Sequence, residues 1–228
     1  MRVLGIIPAR GGSQGLPKKN IKNLNGYPLI AHTIKSARES KLISEFIVST
    51  DDIEISKIAI DFGASVPFLR PAEISKSESS SLELIVHALE YYEKKSVFFD
   101  AVCLLQPTSP FRPSGAIDDA IVQFTNCNSN CLVSVREVPS HYNPYWTFKI
   151  EESGSLKKVI NQELITRRQN LPKVFHRDGA IYLFTVDFLK HTETLISKDT
   201  KAFIIDSPEL INIDTENDWK IAERYIKY

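Results

Sequence analysis

Short apolar segments alternate with amphipathic segments along most of this 228-residue chain. The apolar segments have the length of buried β-strands and cover residues 3–7, 46–49, 66–69, 101–105, 132–135, 180–184 and 202–205. The amphipathic segments repeat apolar residues every three or four positions, which predicts helices over 28–38, 51–60, 79–93, 114–124 and 215–226. This alternation predicts an α/β fold, Rossmann-like, with a mostly parallel sheet and helices on both faces.

The alternation breaks after residue 135. Residues 139–175 contain three prolines and several aromatic side chains. Residues 145–150 alternate as a strand does, and Ser153-Gly154 predicts a turn. We interpret 139–175 as an arm inserted into a single domain that spans 1–228, and not as a second domain.

Charge and cysteine content narrow the class of protein. The 28 Lys and Arg residues balance the 28 Asp and Glu residues, so general affinity for nucleic acid or a membrane surface is not expected. No apolar run is long enough for a transmembrane helix, and residues 1–8 lack the features of a signal peptide. Cys127 and Cys131 have a spacing found in metal sites, but no second pair follows. We therefore expect a cytoplasmic protein whose cysteines are free thiols.

The first strand is followed by a loop of unusual composition. Residues 8–20 read PARGGSQGLPKKN, with three glycines between Arg10 and Lys19. Glycine allows backbone N–H groups to approach an anion, and the cations neutralise its charge. The spacing matches neither a P-loop nor the dinucleotide fingerprint. The loop predicts a triphosphate site, since open α/β sheets bind ligands after such strands; the alternative is a flexible basic surface loop.

Polar residues also follow two later strands. Gln106, Thr108 and Ser109 come directly after the strand at 101–105 and offer hydrogen bonds to a polyhydroxy ligand. A simple strand-to-helix turn is the alternative for this segment. Arg70 and the serines at 79–81 can read the edge of a nucleotide base, although a serine there also suits a helix cap.

Three further groups have both a functional and a structural interpretation. Arg167 and Arg168 can pair with carboxylate or phosphate, or form a solvated pair. Asn212 and Asp214 would point the same way and suit Mg²⁺ beside phosphates, while Asp214 also favours the N-terminus of the last helix. Among the five histidines, only His176 is placed near a site.

Together these segments closely resemble the acylneuraminate cytidylyltransferases. The matching motifs run in order along nearly the whole chain: IPARGGS at 7–13, GLP at 15–17, KN at 19–20, VSTD at 48–51, RPAE at 70–73, LLQPTSP at 104–110, RQ at 168–169, GAIY at 179–182 and IDT at 213–215. The resemblance implies the nucleotide-diphospho-sugar transferase fold and a homodimer in which the arm reaches the partner's site. It also implies a reaction in which the anomeric hydroxyl of a nine-carbon 2-keto sugar acid attacks the α-phosphorus of CTP and pyrophosphate leaves.

The same resemblance implies a role for each matching residue. The nucleotide and its phosphates would meet Ala9, Arg10, Gly12, Ser13, Lys19, Asn20, Arg70, Ser79 and Ser81. The sugar would meet Gln106, Thr108, Ser109, Arg168, His176 and Asp178. The residues implied in catalysis are Arg10, Lys19, Arg167, Arg168 and Asp214, and Mg²⁺ would be held by Asp214 with Asn212.

Five positions depart from the family pattern. Asn212 stands where the family usually has Asp, and Gln14 where Lys is common. Sialate enzymes often carry Arg-x-Asn-Gly where this chain has His176 and Asp178 in place of the Arg and Asn, and Trp146 replaces a frequent basic residue. The sugar acid therefore stays open between N-acetylneuraminate, legionaminate and pseudaminate. A different sugar or nucleotide on the same scaffold, or a non-catalytic nucleotide-binding module, remains the alternative.

Overall fold

Ten strands and six α-helices make up the computed structural model, which describes residues 1–13, 15–161, 163, 165–192, 194–207 and 211–225. The strands are β1 (Val3–Pro8), β2 (Asn23–Leu24), β3 (Tyr27–Pro28), β4 (Glu45–Ser49), β5 (Ala101–Leu104), β6 (Cys131–Glu137), β7 (Phe148–Ile150), β8 (Leu156–Lys158), β9 (Phe175–Thr185) and β10 (Lys201–Ile204). The helices are α1 (Leu29–Glu39), α2 (Ile53–Asp61), α3 (Ser81–Glu93), α4 (Ala116–Asn126), α5 (Val186–Lys190) and α6 (Glu216–Tyr225). All of these helices are too short or too polar to span a bilayer in the described part of the chain.

Six strands form the central sheet in the order β10-β6-β9-β5-β1-β4. Strand β1 is parallel to β4 and β5, and β10 is parallel to β6, which confirms the mostly parallel sheet. Strand β9 is the exception, because it is antiparallel to both β5 and β6. It returns from the arm without a crossover helix, and antiparallel pairing requires none.

Helices cover both faces of this sheet, as the alternation predicts. One face carries α1, α2 and α4, whose buried residues pack with Val3 and Ile7 of β1. The other carries α3 and α5, which pack with Leu4 and Ile6. These four residues of β1 point to opposite faces because side chains alternate along a strand. Helix α6 closes a third cluster around the buried Trp219.

One predicted strand does not form. Around 66–69 the structure shows only two isolated bridges, one at Leu69 to Thr50 and one just before the run, at Ser65 to Ile47. Pro67 lies within this run and has no N–H to donate to a neighbouring strand, which explains why continuous pairing stops.

Capping residues determine where helices α3 and α6 begin. Helix α3 begins at Ser81 because the Ser80 hydroxyl accepts from the Glu83 N–H (3.2 Å) while the Glu83 carboxylate accepts from the Ser80 N–H (2.6 Å). Before α6, Thr215 and Asp218 form the reciprocal pair that the sequence predicts, with bonds of 3.2 and 2.8 Å. Residue 226, the predicted end of α6, lies outside the described residues.

Within residues 139–175, the strand predicted at 145–150 is shorter than expected. A 3₁₀ turn at Pro144–Trp146 precedes β7, and β7 pairs with β8 across a turn at Gly154, where φ is +82°. Proline at the start of the 3₁₀ turn and glycine in the left-handed region are both favourable there. The three cysteines are free thiols.

Candidate active site

A cavity of about 500 Å³ opens beside the carboxyl ends of β1 and β5. Ten of the predicted site residues line it: Arg10, Ser13, Lys19, Asn20, Arg70, Ser79, Ser81, Gln106, Thr108 and Asp214. The topology explains why these residues lie together, because the loops that follow parallel neighbouring strands lie at the same edge of the sheet.

Close backbone approach accounts for two glycines of the opening loop. A Cβ atom added to Gly15 would lie 2.3 Å from the carbonyl oxygen of Asp214, and one added to Gly11 would lie 2.6 Å from Asp52 Oδ2. Both distances are far below van der Waals contact. Gly12 has open space around the equivalent position. Glycine is therefore required where the loop passes the Asp214 backbone, whereas a side chain at position 11 would require the Asp52 carboxylate to shift.

Four cations face the cavity. They are Arg10, Lys19, Arg70 and Lys76, and Asp214 is the single carboxylate among the lining residues that the structure describes. The Arg10 guanidinium donates to the Lys76 carbonyl (2.8 Å), which ties the opening loop to the serine-rich segment at 75–79. This charge balance suits a polyanion. The sequence analysis missed Lys76, whose only signal is a cation within the serine-rich stretch.

Arg70 is held from two sides. Its Nε donates to the Ser75 hydroxyl (3.1 Å), and its Nη2 lies 3.7 Å from Asp51 Oδ1. Burial lowers the pKa of Arg70, and the Asp51 charge opposes that shift. Asp51 also accepts from the Gly11 N–H (3.1 Å), so one carboxylate orders both Arg70 and the opening loop.

Lys19, Asn212 and Asp214 form one connected group. Lys19 Nζ donates to Asp214 Oδ1 (2.9 Å) and to the Ile213 carbonyl (3.0 Å). The Asn212 amide donates to Asp214 Oδ2. The Lys19 side chain is 13% exposed and that of Asp214 is 58% exposed. Both carboxylate oxygens are thus engaged, while the group remains open to the cavity on the Asp214 side.

The donor set around Asp214 limits how a metal ion can bind. The described residues contain no cluster of three or more His, Cys, Asp or Glu side chains suited to a metal. If Asp214 and the Asn212 amide were the protein ligands of a cation, most of its coordination positions would remain open to substrate and water. This fits Mg²⁺, which commonly combines one or two carboxylates with substrate phosphates and water.

The predicted nucleotide residues divide into lining and supporting groups. Ser79 and Ser81 line the cavity, whereas Ser80 between them caps α3. Asn20 is buried and donates to the Arg10 carbonyl (3.0 Å), so it also orders the loop. Ala9 is fully buried behind the cavity, and Gly12 is exposed outside its lining.

Two predicted sugar contacts lie in the protein interior. The buried Ser109 hydroxyl donates to the Asp178 carbonyl (2.9 Å). Asp178 is 4% exposed, and its carboxylate accepts from the Ala180 N–H (2.8 Å) and from the Ser134 hydroxyl. The structure therefore places both residues behind Gln106 and Thr108, and not among the lining residues.

The remaining predicted residues are not brought to the cavity of their own chain. Arg167, Arg168 and His176 are exposed and absent from its described lining. The position of Gln14 lies outside the described residues. Trp146 donates from Nε1 to the Ile165 carbonyl (2.5 Å), within the segment predicted as an arm.

Known proteins resemble this chain over its whole length. The profile of the cytidylyltransferase family matches residues 4–203. A CMP-N,N'-diacetyllegionaminic acid synthase of Legionella pneumophila is 38% identical over 100% of this chain and 97% of its own. A pseudaminic acid cytidylyltransferase of Campylobacter jejuni is 30% identical over 98% of this chain and 95% of its own.

The fold also has solved relatives. The structure of a CMP:2-keto-3-deoxy-manno-octonic acid synthetase complexed with CTP aligns with a TM-score of 0.75 and 15% identity, over 99% of this chain and 98% of that one. At this identity the likeness supports the fold, while the family profile and the sequence relatives establish the class of enzyme. The chain belongs to the cytidylyltransferase family, as its resemblance to the acylneuraminate cytidylyltransferases predicts.

Proposed function

We propose that the protein transfers CMP from CTP to the anomeric hydroxyl of a nonulosonic acid and releases pyrophosphate. The observation that carries this proposal is the cavity in which four cations face a single described carboxylate, at the carboxyl edge of the sheet. CTP and a sugar acid are both anions, so both gain from such a surface. CTP as substrate, together with the free thiols, also supports a cytoplasmic location.

In this proposal the lining residues serve three parts of the substrates. Asn20, Arg70, Ser79 and Ser81 would contact the nucleoside, and Gln106 with Thr108 would contact the sugar. The triphosphate would lie along Arg10, Ser13, Lys19 and Lys76. When the sugar hydroxyl attacks the α-phosphorus, negative charge grows on the leaving pyrophosphate, and these cations stabilise it.

Mg²⁺ is proposed at Asp214, with Asn212 beside it. When bound there it would reduce the negative charge at the α-phosphate and lower the pKa of the attacking hydroxyl. Asp214 must exchange its ion pair with Lys19 for the cation. The Lys19 ammonium, which lines the cavity, would then be available to the phosphates.

N,N'-diacetyllegionaminic acid is the first acceptor to test. The relative of that name is 38% identical to this chain, against 30% for the pseudaminic acid enzyme. Pseudaminic and N-acetylneuraminic acids complete the panel, because the three share the 2-keto acid group at which the reaction takes place.

A homodimer is proposed from the arm. Apolar side chains there are 42–77% exposed: Tyr142, Phe148, Ile150, Leu156, Val159 and Phe175. A surface of this kind marks an interaction site. Arg167 and Arg168 belong to the same arm and are absent from the described lining of their own cavity, so we place them at the partner's sugar acid.

We expect pyrophosphate release when the protein is incubated with CTP, Mg²⁺ and one acid of this panel. Release is measured with a coupled assay, and binding of CTP, UTP, GTP and ATP is measured separately by calorimetry. Turnover with CTP alone among the nucleotides supports the proposal. CTP binding without turnover on any acid of the panel would instead support a nucleotide-binding module.

The dimer predicts complementation between two inactive variants. Asp214→Asn impairs the cavity and Arg168→Ala the arm, so a mixed dimer has one site with both parts intact. After subunit exchange of a 1:1 mixture, we expect activity to recover to about one quarter of the wild-type level. Activity equal to the mean of the two separate variants, or a monomer by sedimentation, would contradict the arm exchange.

A further inference from the structure

Arg112 is a buried arginine that joins three parts of the fold. Its Nε donates to the Ala180 carbonyl in β9 (2.8 Å), and its Nη1 donates to the Thr33 hydroxyl in α1 (2.9 Å). Its Nη2 donates to the carbonyl of Gln106 (2.6 Å), in the loop after β5. The planar guanidinium fork can satisfy three acceptors in fixed directions, which an ammonium cannot.

The three acceptors are uncharged, so the guanidinium is not neutralised by a direct ion pair with any of them. Burial lowers the pKa of Arg112 to about 10, and the charge of nearby Asp178 opposes this shift. Arg112 therefore stays protonated at neutral pH. A buried charge of this kind is weak evidence for stability, because apolar replacements of buried ionic groups are often neutral or stabilising.

Asp178 lies in β9, two residues before the Ala180 carbonyl that Arg112 contacts. Its Oδ1 accepts from the Ala180 N–H (2.8 Å), while its Oδ2 is buried with no hydrogen-bond partner among the described atoms. Its carbonyl accepts from Ser109 (2.9 Å). Arg112 and Ser109 thus connect the loop that carries Gln106 to residues 178–180 at two separate points.

Residues 178–180 in turn contact the segment that carries Asp214. A Cβ atom added to Gly179 would lie 3.1 Å from Ser109 Oγ and 3.5 Å from Asn212 Oδ1, and Asn212 donates to Asp214. The backbone at Gly179 is thus placed between the loop after β5 and the 212–214 segment. The Ile213 N–H also donates directly to the Thr108 carbonyl (2.7 Å), so the packing at Gly179 is one of two links that set the relative position of Gln106 and Asp214.

We propose that Arg112 is a positioning residue for the acceptor side of the cavity: through its bonds to Gln106 and Ala180, with Ser109 and Asp178, it fixes Gln106 relative to Asp214. This inference rests on the proposed function, in which Gln106 meets the sugar. Arg112 does not touch a substrate, so its effect falls on the acceptor and leaves the nucleoside region at Arg70 and Ser79 unchanged.

The test compares Arg112→Lys with the control Arg38→Lys. Lysine keeps the charge at 112 but cannot span the three acceptors. We expect the KM for the sugar acid to rise about 10- to 100-fold, as for other residues that orient site groups, with the Kd for CTP alone within about twofold. Arg38 donates to the Phe62 carbonyl (3.2 Å) away from this cavity, and its variant should match wild type. An unchanged sugar KM, or equal loss of sugar and CTP affinity, would overturn the proposal.

Ser109→Ala keeps the test decisive if Arg112→Lys does not fold. It removes the bond to the Asp178 carbonyl alone, and the sugar KM should again rise while the CTP Kd does not. Hydrogen exchange of the ligand-free protein separates this proposal from the proposed function, since it needs no substrate. Peptides covering 105–111 and 178–182 should exchange faster in the variants than in Arg38→Lys. Unchanged exchange in both peptides would refute the positioning role even if wild type turned over no sugar acid.

Discussion

Asp214→Asn is expected to lower kcat by about 10³-fold, because charge stabilisation by a bound metal ion contributes several kcal/mol to such a transition state. The substitution keeps the shape of the side chain and removes the single carboxylate among the described residues that line the cavity. It also removes the ion pair with Lys19. The rate is measured with saturating CTP and the best acid of the panel, over a range of Mg²⁺ concentrations.

Two comparisons separate the metal role from a purely structural one. Glu216→Gln removes an exposed carboxylate two positions away, which pairs with Lys22 at 3.2 Å, and should leave kcat within about twofold because exposed ion pairs contribute little. If Asp214 holds the cation, the Mg²⁺ concentration for half-maximal rate rises in Asp214→Asn. A slower variant with an unchanged Mg²⁺ requirement would mean that Asp214 acts only by placing Lys19.

The sequence was sufficient for the elements in which local pattern and tertiary packing agree. Most strands and helices lie within a few residues of their predictions, including the cap formed by Thr215 and Asp218. The strand predicted at 66–69 does not form. The apolar composition of this run is typical of a strand, but Pro67 has no N–H for continuous pairing. The antiparallel direction of β9 was not predicted, because an alternation of strands and helices carries no sign of strand direction after an irregular segment.

The site was predictable where ligand chemistry leaves a local signal. Ten lining residues were predicted: four in the loop after β1, two after β5, and Arg70, Ser79, Ser81 and Asp214 from two other segments. Ser109 and Asp178 show the limit, since the sequence does not distinguish a short polar side chain that faces a ligand from one that faces the interior. Lys76 and Arg112 were missed for a related reason. Their roles depend on Arg10 and Ala180, which are distant in the sequence and contact them only in the folded chain.

Gly15→Ala is expected to lower kcat/KM about 10²-fold, although the substitution adds one methyl group and removes no functional atom. The new Cβ would lie 2.3 Å from the Asp214 carbonyl oxygen, so the opening loop and the 212–214 segment must move apart. Displacement of catalytic groups by about 1 Å is enough for a loss of this size. The same clash should lower the unfolding free energy by about 1–3 kcal/mol. The Asp214 carbonyl oxygen is a backbone atom and the new Cβ is bonded directly to the backbone, so neither atom can rotate away.

Gly12→Ala is the matched comparison for stability, because it places the same methyl group in the same loop with nothing within 4 Å. We expect its melting temperature to stay near that of wild type, while Gly15→Ala melts about 2–12 °C lower. The rise in the Mg²⁺ requirement expected for Asp214→Asn is also expected for Gly15→Ala, because both changes act on Asp214, one through its charge and one through its backbone position. A Gly15→Ala variant with wild-type kcat/KM and an unchanged Mg²⁺ requirement would contradict the proposed dependence of catalysis on the contact between the opening loop and Asp214.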